Sequence, residues 1–198
     1  MVVTIERQMN MIQCTLVGDG MVGKTCLSLA FARSSAPALG EYVATVFENY
    51  AGKSSVNGDD YTVSIFDSAG QHDYESLRRF TYEDSEVFVV CYSTVDRDSF
   101  ESVRDFWLPE MKKNMNRKRP IILVATQTDL RNTMDYDCDV PVSITEGTEL
   151  AREIGALTHV ECSVNSPSSV KAVFAEVVQA ALKYRKRKSN IVNKFLGR

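Results

Sequence analysis

Gly18-Asp19-Gly20-Met21-Val22-Gly23-Lys24-Thr25 is the stretch that decides the fold. It follows an apolar, β-branched run, Met11 to Val17, and opens a helical segment, so it lies where a strand turns into a helix. Its spacing, G-x-x-x-x-G-K-[ST], is that of a loop whose backbone N–H groups wrap phosphate oxygens. The glycines permit the wrap, the helix N-terminus adds favourable partial charge, and Lys24 adds a full one. Thr25 can then give its hydroxyl to Mg²⁺.

Further apolar runs follow at Tyr61 to Phe66, Val87 to Ser93, Ile121 to Thr126 and His159 to Cys162, with helical periodicity between them. That alternation predicts βα units and a mostly parallel sheet. Val170, Val173, Phe174, Val177, Val178, Ala181 and Leu182 recur at helical spacing and predict one buried stripe on a last helix. No internal repeat or low-complexity linker interrupts the series.

A phosphate loop alone does not choose between ATP and GTP, or between kinase and switch. Three short motifs at strand C-terminal ends, where open α/β sheets bind ligands, make the choice. In Asp67-Ser68-Ala69-Gly70-Gln71 the carboxylate can hold Mg²⁺ through water, and the Gly70 N–H can reach a terminal phosphate. In Thr126-Gln127-Thr128-Asp129 the carboxylate can accept two N–H bonds from a guanine edge, a pair that adenine lacks. In Glu161-Cys162-Ser163 the serine and its neighbours can brace the base. Each motif alone is weak, since a lone Asp at a strand end is more often a turn residue. Their order and common position carry the reading, and the sequence shows no acceptor site or second lobe for a kinase.

The 198 residues, 44% hydrophobic and 25% charged, suit one ordinary globular domain. Cys14, Cys26, Cys91, Cys138 and Cys162 form no C-x-x-C pair, which points to a reduced, intracellular setting. Met1 to Asn10 lacks the apolar core of a signal peptide, and no run approaches a membrane span. Seven of the 23 basic residues and none of the 26 acidic ones lie from Lys183 onward, so residues 1–182 carry 16 against 26, about −10. An acidic body with a basic tail argues against nucleic-acid binding. The expected organisation is an N-terminal extension (1–10), one domain (11–182) and a basic tail (183–198).

From residue 11 to 184 the chain resembles the Rho family of small GTPases. The resemblance rests on Gly18 to Leu27, Glu41 to Tyr50, Asp67 to Tyr74, Val87 to Tyr92, Ser99 to Val103, Trp107 to Glu110, Thr126 to Arg131 and Glu161 to Ser163. Phe66, and Thr126-Gln127 before Asp129, resemble the Rac and Cdc branch. The implied fold is α/β, a P-loop NTPase G domain with a mostly parallel six-stranded sheet and helices on both faces. The implied activity is GTP hydrolysis by a GTP/GDP switch with Mg²⁺.

By the same resemblance the nucleotide site comprises Gly18, Asp19, Gly20, Met21, Val22, Gly23, Lys24, Thr25, Cys26, Tyr42, Thr45, Asp67, Ala69, Gly70, Gln71, Thr126, Gln127, Asp129, Leu130, Ser163 and Val164. Thr25, Thr45 and Asp67 hold the metal. Gln71 orients the attacking water, Lys24 and Thr45 hold phosphate, and Gly20 leaves room for an arginine inserted by an activating protein. Exchange factors, activating proteins and effectors engage Tyr42 to Tyr50 and Gln71 to Phe80, and the protein is expected to be a monomer.

The sequence also departs from the family. Ala36 to Gly40 replaces a segment with an aromatic packed on the base, Ala44 replaces Pro, Val164 replaces Ala, and His72 replaces Glu. Faster nucleotide release is the expected consequence of Ala36 to Gly40 and of Val164, and a GTP-binding adaptor with rapid exchange and little hydrolysis is the alternative reading. The insert after Asp129 shrinks to Asn132 to Val142, with Asp135, Asp137 and Asp139 expected to face solvent. No C-a-a-X prenylation signal is found. Lys183 to Lys188 is expected to be either a segment for anionic lipid or a solubilising tail, so the protein is expected in the cytoplasm and peripherally on inner membranes.

Overall fold

The computed structural model describes residues 10–35, 45–133 and 140–195. In chain order these residues form β1 (Met11–Val17), α1 (Lys24–Arg33), β2 (Phe47–Val56), β3 (Asp59–Ser68), α2 (Glu75–Asp84), β4 (Val87–Ser93), α3 (Arg97–Ser102), α4 (Leu108–Asn114), β5 (Ile121–Thr126), α5 (Ile144–Ile154), β6 (Thr158–Glu161) and α6 (Pro167–Phe195). The sheet has six strands in the order β2-β3-β1-β4-β5-β6, parallel except for the β2–β3 pair. The expected α/β architecture is present.

β4 and β5 are buried along their whole length, as strands covered by helices on both faces must be. On one face α1 and α6 close the core, with Phe31 stacked on Phe174 at 3.8 Å between ring centroids. On the other, Tyr82, Trp107, Met111 and Leu150 pack over Phe88, Val90 and Leu123. The stripe expected on the last helix is there: Val170, Val173, Phe174, Val177, Val178 and Ala181 are buried and Leu182 is half-buried. α6 then runs on past Lys183 without a break, and Arg185 ties it to Glu86 at 2.5 Å and to the Met11 carbonyl.

Two strand limits differ from expectation, β3 being longer than Tyr61 to Phe66 and β6 starting a residue earlier than His159. β2 was not among the expected strands. It is a polar edge strand, mostly exposed or half-exposed, so it lacks the apolar run that marks the others. Asn57 and Gly58, both with positive φ, make the hairpin turn that brings it back onto β3.

A buried ion pair fixes the start of α2. The Arg78 guanidinium lies 2.6 Å from Glu110 Oε2 and 4.8 Å from the centroid of the Trp107 ring, and it also donates to the carbonyls of Ala69, Gln71 and His72. Tyr82 donates to the same carboxylate. Removing one member leaves a buried charge without its counter-ion, a loss of about 3–5 kcal/mol. Arg78→Ala and Glu110→Ala should each lose stability on that scale in urea titrations of the GDP-loaded protein, with Arg78→Met/Glu110→Leu recovering much of it. Single-variant losses under about 1 kcal/mol would show that the pair is not needed.

Candidate functional site

The loop between β1 and α1 takes a path that requires glycine. Gly18 has φ 140°, and a Cβ there would stand 2.2 Å from the Cys91 carbonyl oxygen. Gly23 caps α1 with φ 86° and no side-chain hydrogen bond, so no cap side chain competes for the N–H groups of the first turn. Such a helix end favours an anion. Lys24, buried, donates to the carbonyls of Gly18 and Asp19 at 2.8 and 2.7 Å. Burial pushes its pKa down, against the pull of Asp67 and Asp19.

Three oxygens converge in front of this loop. The Thr25 hydroxyl donates to Asp67 Oδ2 at 2.6 Å and lies 2.8 Å from the Thr45 hydroxyl. The other carboxylate oxygen, Asp67 Oδ1, is buried without a hydrogen-bond partner among the described residues. Two hydroxyls and a carboxylate are a hard-oxygen donor set that fits Mg²⁺, and the orphaned oxygen is a group that a cation or its water would satisfy. Burial raises the Asp67 pKa to about 6, offset in part by the Thr25 hydrogen bond and Lys24.

The segment after β3 lies against the phosphate loop. A Cβ on Gly70 would come within 2.4 Å of the Gly20 nitrogen, which is why this position must be bare. Ala69 is buried, and its N–H donates to Val46, joining this segment to the one carrying Thr45. Gln71 is exposed, and its carbonyl is held by Arg78 at 2.6 Å. His72, where the resemblance leads one to expect Glu, stacks on Phe106 and places Nε2 3.5 Å from Asp19 Oδ1, the oxygen that also accepts from the Trp107 indole.

At the other end, Thr126 is buried and donates to the Val22 and Tyr92 carbonyls, tying β5 to the phosphate loop. Gln127, with φ 56°, bridges Ser93 and the Met21 carbonyl. Asp129 is exposed. Slight burial raises its pKa, but hydrogen bonds from Ser163, its own backbone and Asn165 outweigh this and hold it below the usual range. It is therefore a charged acceptor at neutral pH. Leu130 is partly exposed, Ser163 is buried, and Val164 packs on the core beside Phe31. Cys26 is half-buried with its pKa raised by burial and Asp67, so it is no reactive thiolate. Tyr42, Ala36 to Gly40, Ala44 and the acidic run Asp135, Asp137 and Asp139 lie outside the described residues.

The sequence model of the Ras family matches residues 13–183. The chain belongs to the Ras family. It is thus a small GTPase, of a family whose members bind GTP or GDP, typically with Mg²⁺, hydrolyse GTP and act as switches with exchange factors, activating proteins and effectors.

Within this Ras-family domain the structure adds residues that sequence reading missed. Asn165 donates to Asp129 at 2.9 Å, and Arg78 with Glu110 holds the backbone around Gln71. Asn165 lies just past Ser163, a place that could have raised the question of its role. Arg78 and Glu110 are 32 positions apart and carry no local signal.

The raised pKa of Asp67 has a testable sign. Its folded value, about 6, lies above the unfolded value near 3.8, so the metal-free folded state disfavours the ionised form. The penalty is absent below about pH 4, grows through pH 6 and is full above it, at about 3 kcal/mol at most. In chelator, Asp67→Asn should stabilise the nucleotide-free protein at pH 7.5 and lose that advantage by pH 4 in thermal unfolding. With excess Mg²⁺ and GDP the order should reverse, since the cation needs the charge. An Asn variant equally stable at both pH values in chelator would contradict the assignment.

Proposed function

We propose that this Ras-family protein is a Rho-like switch, nearest the Rac and Cdc branch, that cycles between GTP and GDP in intracellular signalling to the cytoskeleton, polarity or membrane trafficking. The observation that carries the switch reading is the meeting of Thr25, Thr45 and Asp67. Thr45 precedes β2 and belongs to no helix or strand, yet its hydroxyl sits in the cation's donor set. A residue held there by the ligand and released with it converts the state of the nucleotide into the shape of the chain. The Rho-like reading is supported by Glu41 to Tyr50, Trp107 to Glu110 and Thr126 to Arg131.

Lys24 and the N–H groups of Gly20 to Thr25 hold the phosphates, and Asp129 with Ser163 selects guanine. Bound Mg²⁺ supplies charge neutralisation on the phosphate oxygens. Gln71 orients the attacking water, its carbonyl held by Arg78 and the residue exposed to solvent. Gly20 leaves space for an arginine from an activating protein, and without one the intrinsic rate is slow. Val46, Phe47, Leu77 and Phe80 are exposed apolar residues on the two segments that respond to the nucleotide, a surface suited to effectors and exchange factors. The protein works as a monomer in the cytoplasm and reversibly on inner membranes, through Lys183 to Lys188.

Single-turnover GTP hydrolysis set against GDP release tests this reading. Gln71→Leu should slow hydrolysis by about tenfold or more while leaving GDP affinity within about twofold, since the side chain positions water and does not hold the ligand. An unchanged rate would contradict the role of Gln71. Wild-type release much faster than hydrolysis would favour the rapid-exchange adaptor.

A further inference from the structure

At the end of the sheet away from the nucleotide site lies a groove of about 700 Å³. It is bounded by the chain entering β5, the chain entering β6 and the late turns of α6. The phosphate and guanine residues follow the C-terminal ends of the strands, whereas Pro120 and Leu157 precede the N-terminal ends. β5 alone separates the two by about 16 Å at about 3.3 Å per residue.

The wall supplied by α6 is one helix face. Ala180, Lys183, Tyr184, Arg187 and Lys188 recur at i, i+3, i+4, i+7 and i+8 and line the groove, while Arg185 faces Glu86 and Lys186 is not part of the lining. Arg117, Lys118 and Arg119 supply the facing wall. Among the described residues, six basic and no acidic side chains line the groove, on a body whose first 182 residues carry about −10. Its floor is apolar: Pro120, Leu157, Ala180 and the Tyr184 ring. Leu157 is 49% exposed.

Arg119 is the groove's one half-buried cation: its guanidinium sits 5.3 Å from the centroid of the Tyr184 ring, Nε donates to the Ser85 carbonyl and Nη2 to the Glu83 carbonyl at 3.5 Å, but Nη1 is buried with no hydrogen-bond partner among the described residues. A buried guanidinium N–H left unpaired is costly, and a phosphate or carboxylate oxygen would satisfy it.

We propose that this groove binds a phosphate-bearing membrane lipid, its headgroup between Arg117, Arg119, Lys183 and Arg187 and the start of its acyl chain on Leu157 and Tyr184. A soluble phosphate would use the cations and leave the apolar floor wet. A basic patch attracting a membrane at long range would need no floor and no unpaired guanidinium N–H. The groove deepens, and rests on, the reading of Lys183 to Lys188 as a lipid-facing segment, and gives it a defined geometry. Because it opens away from Lys24, Asp129 and the effector segments, a protein held there keeps its switch exposed to partners.

The test is sedimentation of the GDP-loaded full chain with vesicles of phosphatidylcholine containing one-fifth phosphatidic acid, against phosphatidylcholine alone. Arg187→Glu and Lys186→Glu change the net charge equally, and both residues are exposed on α6, but only Arg187 lines the groove. The groove predicts a loss of vesicle affinity of about tenfold or more for Arg187→Glu and for Leu157→Glu, and of no more than about threefold for Lys186→Glu. GDP binding should be unchanged in all three, and soluble glycerol phosphate should not displace the vesicles. Equal losses for Arg187→Glu and Lys186→Glu with none for Leu157→Glu would overturn the groove and leave only diffuse attraction by the tail. Displacement by glycerol phosphate would overturn the acyl-chain contact. No binding to the acidic vesicles would overturn both the groove and the lipid-facing reading of the tail, and would leave an acidic protein surface as the match for the charge.

Discussion

Two opposite charges, Lys24 at the start of α1 and Asp67 near the end of β3, are buried close to each other, and much of the fold serves to keep them there. Burying a charge costs several kcal/mol unless it is paired and hydrogen-bonded. Lys24 has two backbone carbonyls, and Asp67 has Thr25 on one oxygen and nothing on the other. The pKa directions report the same tension, with Lys24 pushed down and Asp67 pushed up by burial. A phosphate chain with its divalent cation would answer both demands at once. The glycines that bend the loop, the strand register that sets Asp67 beside Leu16, and the segment that delivers Thr45 all follow from holding that arrangement.

Moving parts meet fixed ones at Arg78. It is fully buried, paired with Glu110, and spends its remaining N–H groups on carbonyls at Ala69, Gln71 and His72. The backbone from Ala69 to His72 is thereby pinned to the face of the sheet carrying α4, while Gln71 stays exposed. His72 and Trp107 converge on Asp19, joining the same face to the phosphate loop. Rigid support beneath an exposed residue is what positioning catalysis asks for.

Legibility in the sequence followed locality. The phosphate loop, the strands at Met11, Val87 and Ile121, and the stripe on α6 were readable because each is a periodic or spaced pattern within one segment. The meeting of Thr25 and Asp67 was readable because the loop spacing places one at the start of a helix and the other at a strand end on the same edge of the sheet. β2 was not, since an edge strand with polar residues on both faces has no apolar run, and only the Asn57-Gly58 turn hinted at it. Asn165 on Asp129, Arg78 on Glu110 and Arg119 on Tyr184 are long-range pairings with no local pattern. The basic segment from Lys183 read as a tail by composition, yet Lys and Arg are good helix formers. Anchored by Arg185 on Glu86, it continues α6 and becomes the wall of a groove.

The central claim is that the buried pair and the strand-tip carboxylates form one guanine-nucleotide site completed by a divalent cation. Competition against a fluorescent GDP analogue, with Mg²⁺ present and then chelated, measures this most directly. Displacement by GDP and GTP but not by ATP at a hundredfold excess, with analogue affinity falling when Mg²⁺ is removed, is the predicted result. Equal displacement by ATP, or an affinity indifferent to Mg²⁺, would contradict the account.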